Sequence, residues 1–282
     1  MNDIIEKLKY NYKNGDITIR LIFICVGVFL VCSLVNFIFF KNSVTSLDDF
    51  FGMSSGLESF LKRPWGFFTY LFFHGNLMHL LINMLMLYYI GQLFLRYFRS
   101  NDFLTFFFGG AVFGALAFIA LAGLLRYNGT LVGASAAVYA IFFGLVAYVP
   151  KTKVQLFLIN FNIPLDYVGY ALLAFDVFSI FSGNNSGGHI SHLGGAAFGF
   201  LYMKQFEKGN DFLGQFFRKI FTKQKKTKFK VHKTPPRDDF EFNGEKLNKQ
   251  KEIDKILDKI SRSGYESLSK EEKDTLFNAG KN

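Results

Sequence analysis

Long apolar runs separated by short polar breaks fill the chain from about residue 19 to residue 205, and then stop. The runs cover about 19–40, 77–95, 103–125, 134–149, 165–182 and 190–205. A helix needs about 20 apolar residues to cross a bilayer, and most of these runs meet or approach that length. The first, from Leu21 to Phe40, is too long for a signal-peptide core and lacks a small-residue cleavage site, so it reads as a retained span. The fourth, ending at Pro150, is short. Its alanines and glycines would let neighbouring helices approach closely, which suits a central helix wrapped by protein rather than lipid. The pattern therefore predicts an all-α membrane protein, a six-transmembrane-helix bundle with a short central fourth helix.

The breaks carry their own signals. Residues 41–76 mix Asp48, Asp49, Glu58, Lys62 and Arg63 with patches of Phe and Leu, which suggests a segment lying in the membrane interface. Asn128-Gly129, within Arg126–Thr130, is a turn signal between the third and fourth spans. Residues 154–164 are apolar but include Asn160, Asn162 and Pro164, and are placed at the interface. Beyond 205 the chain becomes polar. Residues 211–222 could form an amphipathic surface helix, and 223–247 are basic, with Pro235-Pro236. In the last part, Ile253, Ile256, Leu257 and Ile260 repeat at helical spacing. Gly264 can stop that helix, and Ser269 with Glu272 can cap a second one, giving a helical hairpin.

Composition agrees with the pattern. Half of the 282 residues are hydrophobic and 38 are Phe, too apolar for a soluble domain of this size. The net charge of +10 is concentrated in the tail, where it marks a cytoplasmic side and attraction to anionic lipid rather than a nucleic-acid site. Basic residues fall at the N-terminus, at Arg96 and Arg99, at Lys151 and Lys153, and through the tail. A six-span count puts all of these on one side, so both termini are expected in the cytoplasm. The opposite side has Lys41, Lys62, Arg63 and Arg126, partly offset by the acids of 41–76. Cys25 and Cys32 share the first run and suggest no disulfide framework.

Ionisable groups inside a membrane are costly, and so mark candidate sites. Four of the five histidines qualify: His74 and His79 at the start of the second span, His189 and His192 at the start of the sixth. Asn83 lies one turn after His79 on the same face. Ser135 opens the fourth span. With both ends inside, the second, fourth and sixth spans all begin at the outer face, so these groups share one depth. A serine needs an adjacent base to become a nucleophile, and histidine is the usual one. Donors such as His79, Asn83 and the Ser135 amide could then hold an oxyanion. His189 and His192, three apart, share a face, and spacing alone does not choose between them. His74 reads as interfacial or as a structural hydrogen-bonder. Asp176, in the fifth span, has no visible partner and reads as a buried structural polar group. No His-Glu-x-x-His helix exists and no acid lies in sequence near either histidine pair, so no metal site and no cofactor are expected.

Gly133-Ala134-Ser135 with Tyr139 resembles the Gly-x-Ser motif of rhomboid intramembrane serine proteases. The arrangement of His74, His79 and Asn83 is similar to that family's second-span motif. His192-Leu193-Gly194-Gly195 with Gly199 resembles its sixth-span His-x-x-Gly signature, and Trp65 matches the tryptophan of its first long loop. The likeness covers about 19–205. It implies a Ser–His dyad without a third acid: Ser135 as nucleophile, His192 as base, and His79, Asn83 and the Ser135 amide as oxyanion hole. Tyr139 would pack on the His192 ring. Gly195 and Gly199, a small-x-x-x-small stripe following His192 in register, would bring the sixth span against the fourth. One departure is visible: the arginine that often follows the loop tryptophan is Gly66 here, which puts the anchoring of that loop in question.

The expected organisation is thus a cytoplasmic N-terminus (1–18), a six-span rhomboid-like protease domain (19–205), a basic amphipathic linker (206–247) and a cytoplasmic helical hairpin (248–282). The expected activity is that of a serine endopeptidase in a bacterial cytoplasmic membrane, cutting membrane-anchored proteins near the outer face. Transmembrane protein substrates, the lipid bilayer and a cytoplasmic partner for the tail are the expected partners, with no nucleic acid. The alternative is a catalytically silent rhomboid-like scaffold that binds transmembrane segments; an intact Gly-x-Ser and His pair speaks against it. A transporter would be expected to show paired half-structures, and none is visible.

Overall fold

A computed structural model describes residues 2–39, 46–125, 127–155, 162–183, 185–221 and 239–279. Lys41, Arg126 and Asn160, together with His232 and Pro235-Pro236 of the basic linker, lie outside the described residues. The chain divides into two units, Met1–Lys223 and Gln224–Asn282.

The first unit begins with α1 (Asn2–Asn14) and α2 (Ile17–Phe39), and Asp16 caps α2 by accepting a hydrogen bond from the Ile19 amide at 3.1 Å. Three short helices follow, α3 (Leu47–Phe51), α4 (Leu57–Lys62) and α5 (Gly66–Thr69), with the two-residue strand β1 (Met53–Ser54) between α3 and α4. Next come α6 (Leu77–Leu95), α7 (Ser100–Leu124), strand β2 (Thr130–Leu131) and α8 (Ser135–Tyr148). A β3–β4 hairpin (Lys153–Gln155 with Asn162–Pro164) leads into α9 (Leu165–Ser182), α10 (Ser186–Phe206) and α11 (Phe212–Phe221).

Among the described residues four helices, α2, α6, α7 and α9, are long and apolar enough to cross a membrane. Their outward faces are what lipid would require: Phe178 and Phe181 on α9 are 74% and 82% exposed, a level of apolar exposure that water would penalise. α8 is apolar but shorter, and α10, though 21 residues long, carries His189, Ser191, His192 and several glycines. The bounds of the apolar runs fall within a few residues of these helices.

α8 is the centre of the unit. Every residue from Ala140 to Ala147 is buried, and α6, α7, α9 and α10 all pack against it. Two glycine-bearing faces make that enclosure possible. A Cβ added at Gly195 or Gly199 of α10 would strike the carbonyl oxygen of Ala136 or Ala140, and one at Gly110 of α7 would strike the Ala140 side chain. Only hydrogen at these positions lets the three backbones meet.

The 46–76 segment is anchored by hydrogen bonds to its own backbone. The Trp65 indole donates to Phe50 O (2.9 Å), Arg63 to Asp49 O (2.8 Å) and Thr69 to Phe51 O (2.5 Å). Gly66, the departure noted after the loop tryptophan, is buried so closely that a Cβ would strike the Gly52 carbonyl. The guanidinium that anchors this segment is that of Arg63. Antiparallel pairing of Met53 with Leu131 and Ser54 with Thr130 then joins this segment to the strand just before Ser135.

α11 is not a free surface helix. It packs against α7, and Tyr202 of α10 donates to Asp211 Oδ1 at 2.6 Å while accepting from the Gly214 amide at 3.1 Å. This ties residues 206–221, expected to be linker, to the first unit.

The second unit holds α12 (Asp239–Ser263) and α13 (Lys270–Ala279), so its first helix begins within the stretch expected to be linker. Gly264, at φ +76°, ends α12, and Ser269 with Glu272 forms the expected reciprocal cap: Ser269 N donates to Glu272 Oε2 (2.7 Å) and Glu272 N to Ser269 Oγ (3.2 Å). Lys259 of α12 also reaches the Glu272 carboxylate at 2.8 Å.

Candidate active site

The candidate residues collect at the N-terminal ends of α6, α8 and α10. The approach to α8 is fixed first. The Gly133 amide donates to Tyr70 O (3.0 Å), and the fully buried Tyr70 hydroxyl donates to Ala111 O of α7 (2.8 Å). Gly133 has φ +117°, a conformation that disfavours any side chain. It also has no room for one: a Cβ there would lie 2.7 Å from His79 Nε2 and 3.9 Å from Asn83 Nδ2. The second-span pair therefore faces the backbone immediately before Ser135.

α6 holds that pair in place. Asn76 caps the helix by accepting from the His79 amide (2.8 Å), and Asn83 Nδ2 donates one bond to His79 O (2.9 Å), which leaves its second N–H available. Ser135 itself is half-buried at the first position of α8. The preceding Ala134 has no side chain that can cap the helix, so first-turn amides remain to receive a negative charge.

Tyr139 stands one turn after Ser135 on the same face of α8. Its ring stacks on that of His192, with centroids 4.3 Å apart and planes 18° from parallel. His189 instead meets Phe175 edge-on, at 5.6 Å, so Tyr139 singles out His192 as the histidine on the serine's face. Among the described residues no hydrogen bond joins the Ser135 hydroxyl to the His192 ring; the two are neighbours through Tyr139 and through the Gly195–Ala136 contact one turn along.

Asp176 corrects the sequence reading. It has partners, and His192 does have an acid. The carboxylate is completely buried in α9, and its Oδ1 is contacted by Nδ1 of both His189 (2.6 Å) and His192 (2.9 Å). The Tyr139 hydroxyl lies near the same carboxylate, while Oδ2 is buried and meets no hydrogen-bond partner among the described residues. Sixteen residues separate Asp176 from His192, so linear distance concealed the contact. The usable signal was physical: an acid in an apolar span needs a partner, and two histidines shared one face of the next helix.

Asp176, His189 and His192 offer donor atoms within 4.8 Å of one another, a set that could hold a metal ion. His74 is buried, its ring edge-on to His79 at 5.2 Å, and neither of its nitrogens meets a hydrogen-bond partner among the described residues. It was expected to be interfacial or hydrogen-bonded.

Comparison with known proteins gives two matches. Residues 238–281 match a family of unknown function (DUF6576), which covers the helical hairpin. No curated protein matches the chain. Residues 61–206, slightly more than half of the sequence and the part that carries α6 to α10, match the Rhomboid domain. This chain is a helical integral membrane protein of the rhomboid family.

Proposed function

We propose that the protein is an intramembrane serine endopeptidase that cleaves membrane-anchored proteins near the outer face of the membrane. In this reading α2, α6, α7, α8, α9 and α10 are six spans with both termini in the cytoplasm, as the distribution of basic residues favours. One observation carries the proposal: His192 stacks on Tyr139, one turn below Ser135, while His79 and Asn83 press on Gly133 from the other side. A nucleophile, a base and oxyanion donors thus meet at three helix ends.

The chemistry follows from that placement. His192 Nδ1 is turned toward Asp176, so Nε2 is the nitrogen left to serve the serine. Ser135 Oγ attacks the scissile carbonyl carbon and its proton passes to His192 Nε2. The resulting oxyanion is held by the Ser135 amide, Asn83 Nδ2 and His79 Nε2. Collapse breaks the C–N bond, and His192 returns the proton to the leaving amine. Water then attacks the acyl-serine, with His192 again acting as base, and frees Ser135. No step requires a metal or cofactor.

The test is incubation of purified protein with a membrane-anchored substrate, with the products mapped by mass spectrometry. A cut in or beside the membrane segment is expected. Binding of the segment without cleavage would assign the chain as a silent scaffold instead.

A further inference from the structure

We propose that Asp176 is a positioning residue for His192, so that this chain works with a Ser135–His192–Asp176 triad rather than a Ser–His dyad; the inference rests on the protease reading above.

The geometry has the parts such a role needs. The acid sits on α9, a different helix from the base, and is completely buried, so water does not compete for it. Its Oδ1 faces His192 Nδ1 at 2.9 Å, within the range of an N–H···O bond to a carboxylate. A carboxylate only accepts, so the hydrogen between them must sit on Nδ1. This fixes the tautomer in which Nε2 carries a lone pair, the form a general base requires. The Tyr139 ring limits tilting of the imidazole, and the carboxylate limits its rotation within that plane. The same anion then stabilises the imidazolium formed when the Ser135 proton arrives. The proton remains on His192 and Asp176 stays ionised.

His189 completes the arrangement. Its Nδ1 lies 2.6 Å from the same oxygen, so a second N–H stabilises the buried anion and keeps Oδ1 from turning away. A fixed carboxylate inside apolar surroundings is costly, and two donors on one oxygen offset that cost. The groups facing it are His189 and His192 from α10 and Tyr139 from α8.

The experiment compares wild type, Ser135→Ala, Asp176→Asn, Asp176→Glu and His189→Phe for cleavage of one membrane-anchored substrate, with thermal unfolding measured in parallel. The amide introduced by Asp176→Asn would present an N–H that can donate to Nδ1 and hold the wrong tautomer. In other Ser-His-Asp enzymes, that replacement lowers kcat about 10⁴-fold. A loss of that order with little change in KM is expected, with partial recovery in Asp176→Glu and a smaller loss in His189→Phe. In the Ser135→Ala background, Asp176→Asn should change nothing further.

If wild type cleaves and Ser135→Ala does not, yet folded Asp176→Asn keeps full turnover, the triad is wrong while the protease reading stands. If wild type cleaves nothing, the earlier reading fails. Activity removed by a chelator and restored by a divalent metal would assign the cluster to metal binding and overturn the proposal. Should Asp176→Asn not fold, ¹⁵N-histidine spectra of the unmodified protein decide the matter. His192, assigned by the signal lost in His192→Ala, should be protonated at Nδ1; protonation at Nε2 would overturn the triad.

Discussion

Gly195→Ala adds one methyl group to α10, and the structure indicates what it would do. The new Cβ would strike the Ala136 carbonyl oxygen of α8, which is backbone and cannot rotate aside. Relief requires the two helices to part. Overpacking of this kind costs about 1–3 kcal/mol, partly offset by the roughly 1 kcal/mol by which Ala exceeds Gly as a helix former. The effect on chemistry should be larger than the effect on stability. His192 lies one turn before Gly195, and Ser135 is the residue before Ala136, so parting the backbones separates the proposed base from the proposed nucleophile. A misplacement of roughly 1 Å can cost on the order of 10²-fold in rate. Gly27→Ala on α2 is the control, since nothing lies within 4 Å of a Cβ there. It should be neutral, or stabilising by up to about 1 kcal/mol. The assay is turnover of a detergent-solubilised membrane-anchored substrate, alongside thermal unfolding of each variant. Equal turnover and equal stability for Gly195→Ala and Gly27→Ala would refute the claim that close α8–α10 contact aligns the site.

Other predictions address separate parts of the account. Asn83→Ala removes one of the proposed oxyanion donors and should lower turnover by about 10²–10³, less than Ser135→Ala; wild-type turnover would remove Asn83 from the site. Truncation after Lys223, which leaves the first unit whole, should preserve cleavage in detergent, whereas a cut before Phe212 should destabilise the protein by removing α11 and the Gly214 amide that donates to Tyr202. Unfolding temperatures and turnover of the two truncations test this. In the hairpin, the Lys259 ammonium holds the Glu272 carboxyl below its usual range. That stabilisation is present above the unfolded carboxyl's pKa and is lost as pH falls through the lowered folded value, so amide protection in α12 and α13 should decline on acidification, and Glu272→Gln should remove part of that dependence.

How much of this was legible in the sequence differs from residue to residue. The helix limits were, because each span is a run of apolar residues ended by charge, proline or glycine, and those signals are local. That Ser135, His79, Asn83 and His192 lie toward the N-terminal ends of neighbouring helices was legible because each follows closely on the polar break that opens an apolar run. Asp176 was not. Its meeting with His192 depends on how α9 is rotated against α10, which apolar periodicity leaves open when both helices are apolar nearly all round. β1 and β2 are two residues each, too short to show alternation, yet they tie the 46–76 segment to the strand before Ser135. Gly66 looked like a lost anchor because the compensating guanidinium, Arg63, precedes the tryptophan instead of following it. α11 looked like a surface helix because its moment shows an apolar face without showing what covers it.

The central claim is that Ser135 is a nucleophile activated by His192. Reaction of the purified protein with a fluorophosphonate, followed by peptide mapping, tests it without any assumption about the natural substrate. The account predicts a single covalent phosphonyl adduct on Ser135, absent in Ser135→Ala and formed far more slowly in His192→Ala. An unreactive Ser135 in folded protein, or labelling undiminished by His192→Ala but abolished by His189→Ala, would contradict it.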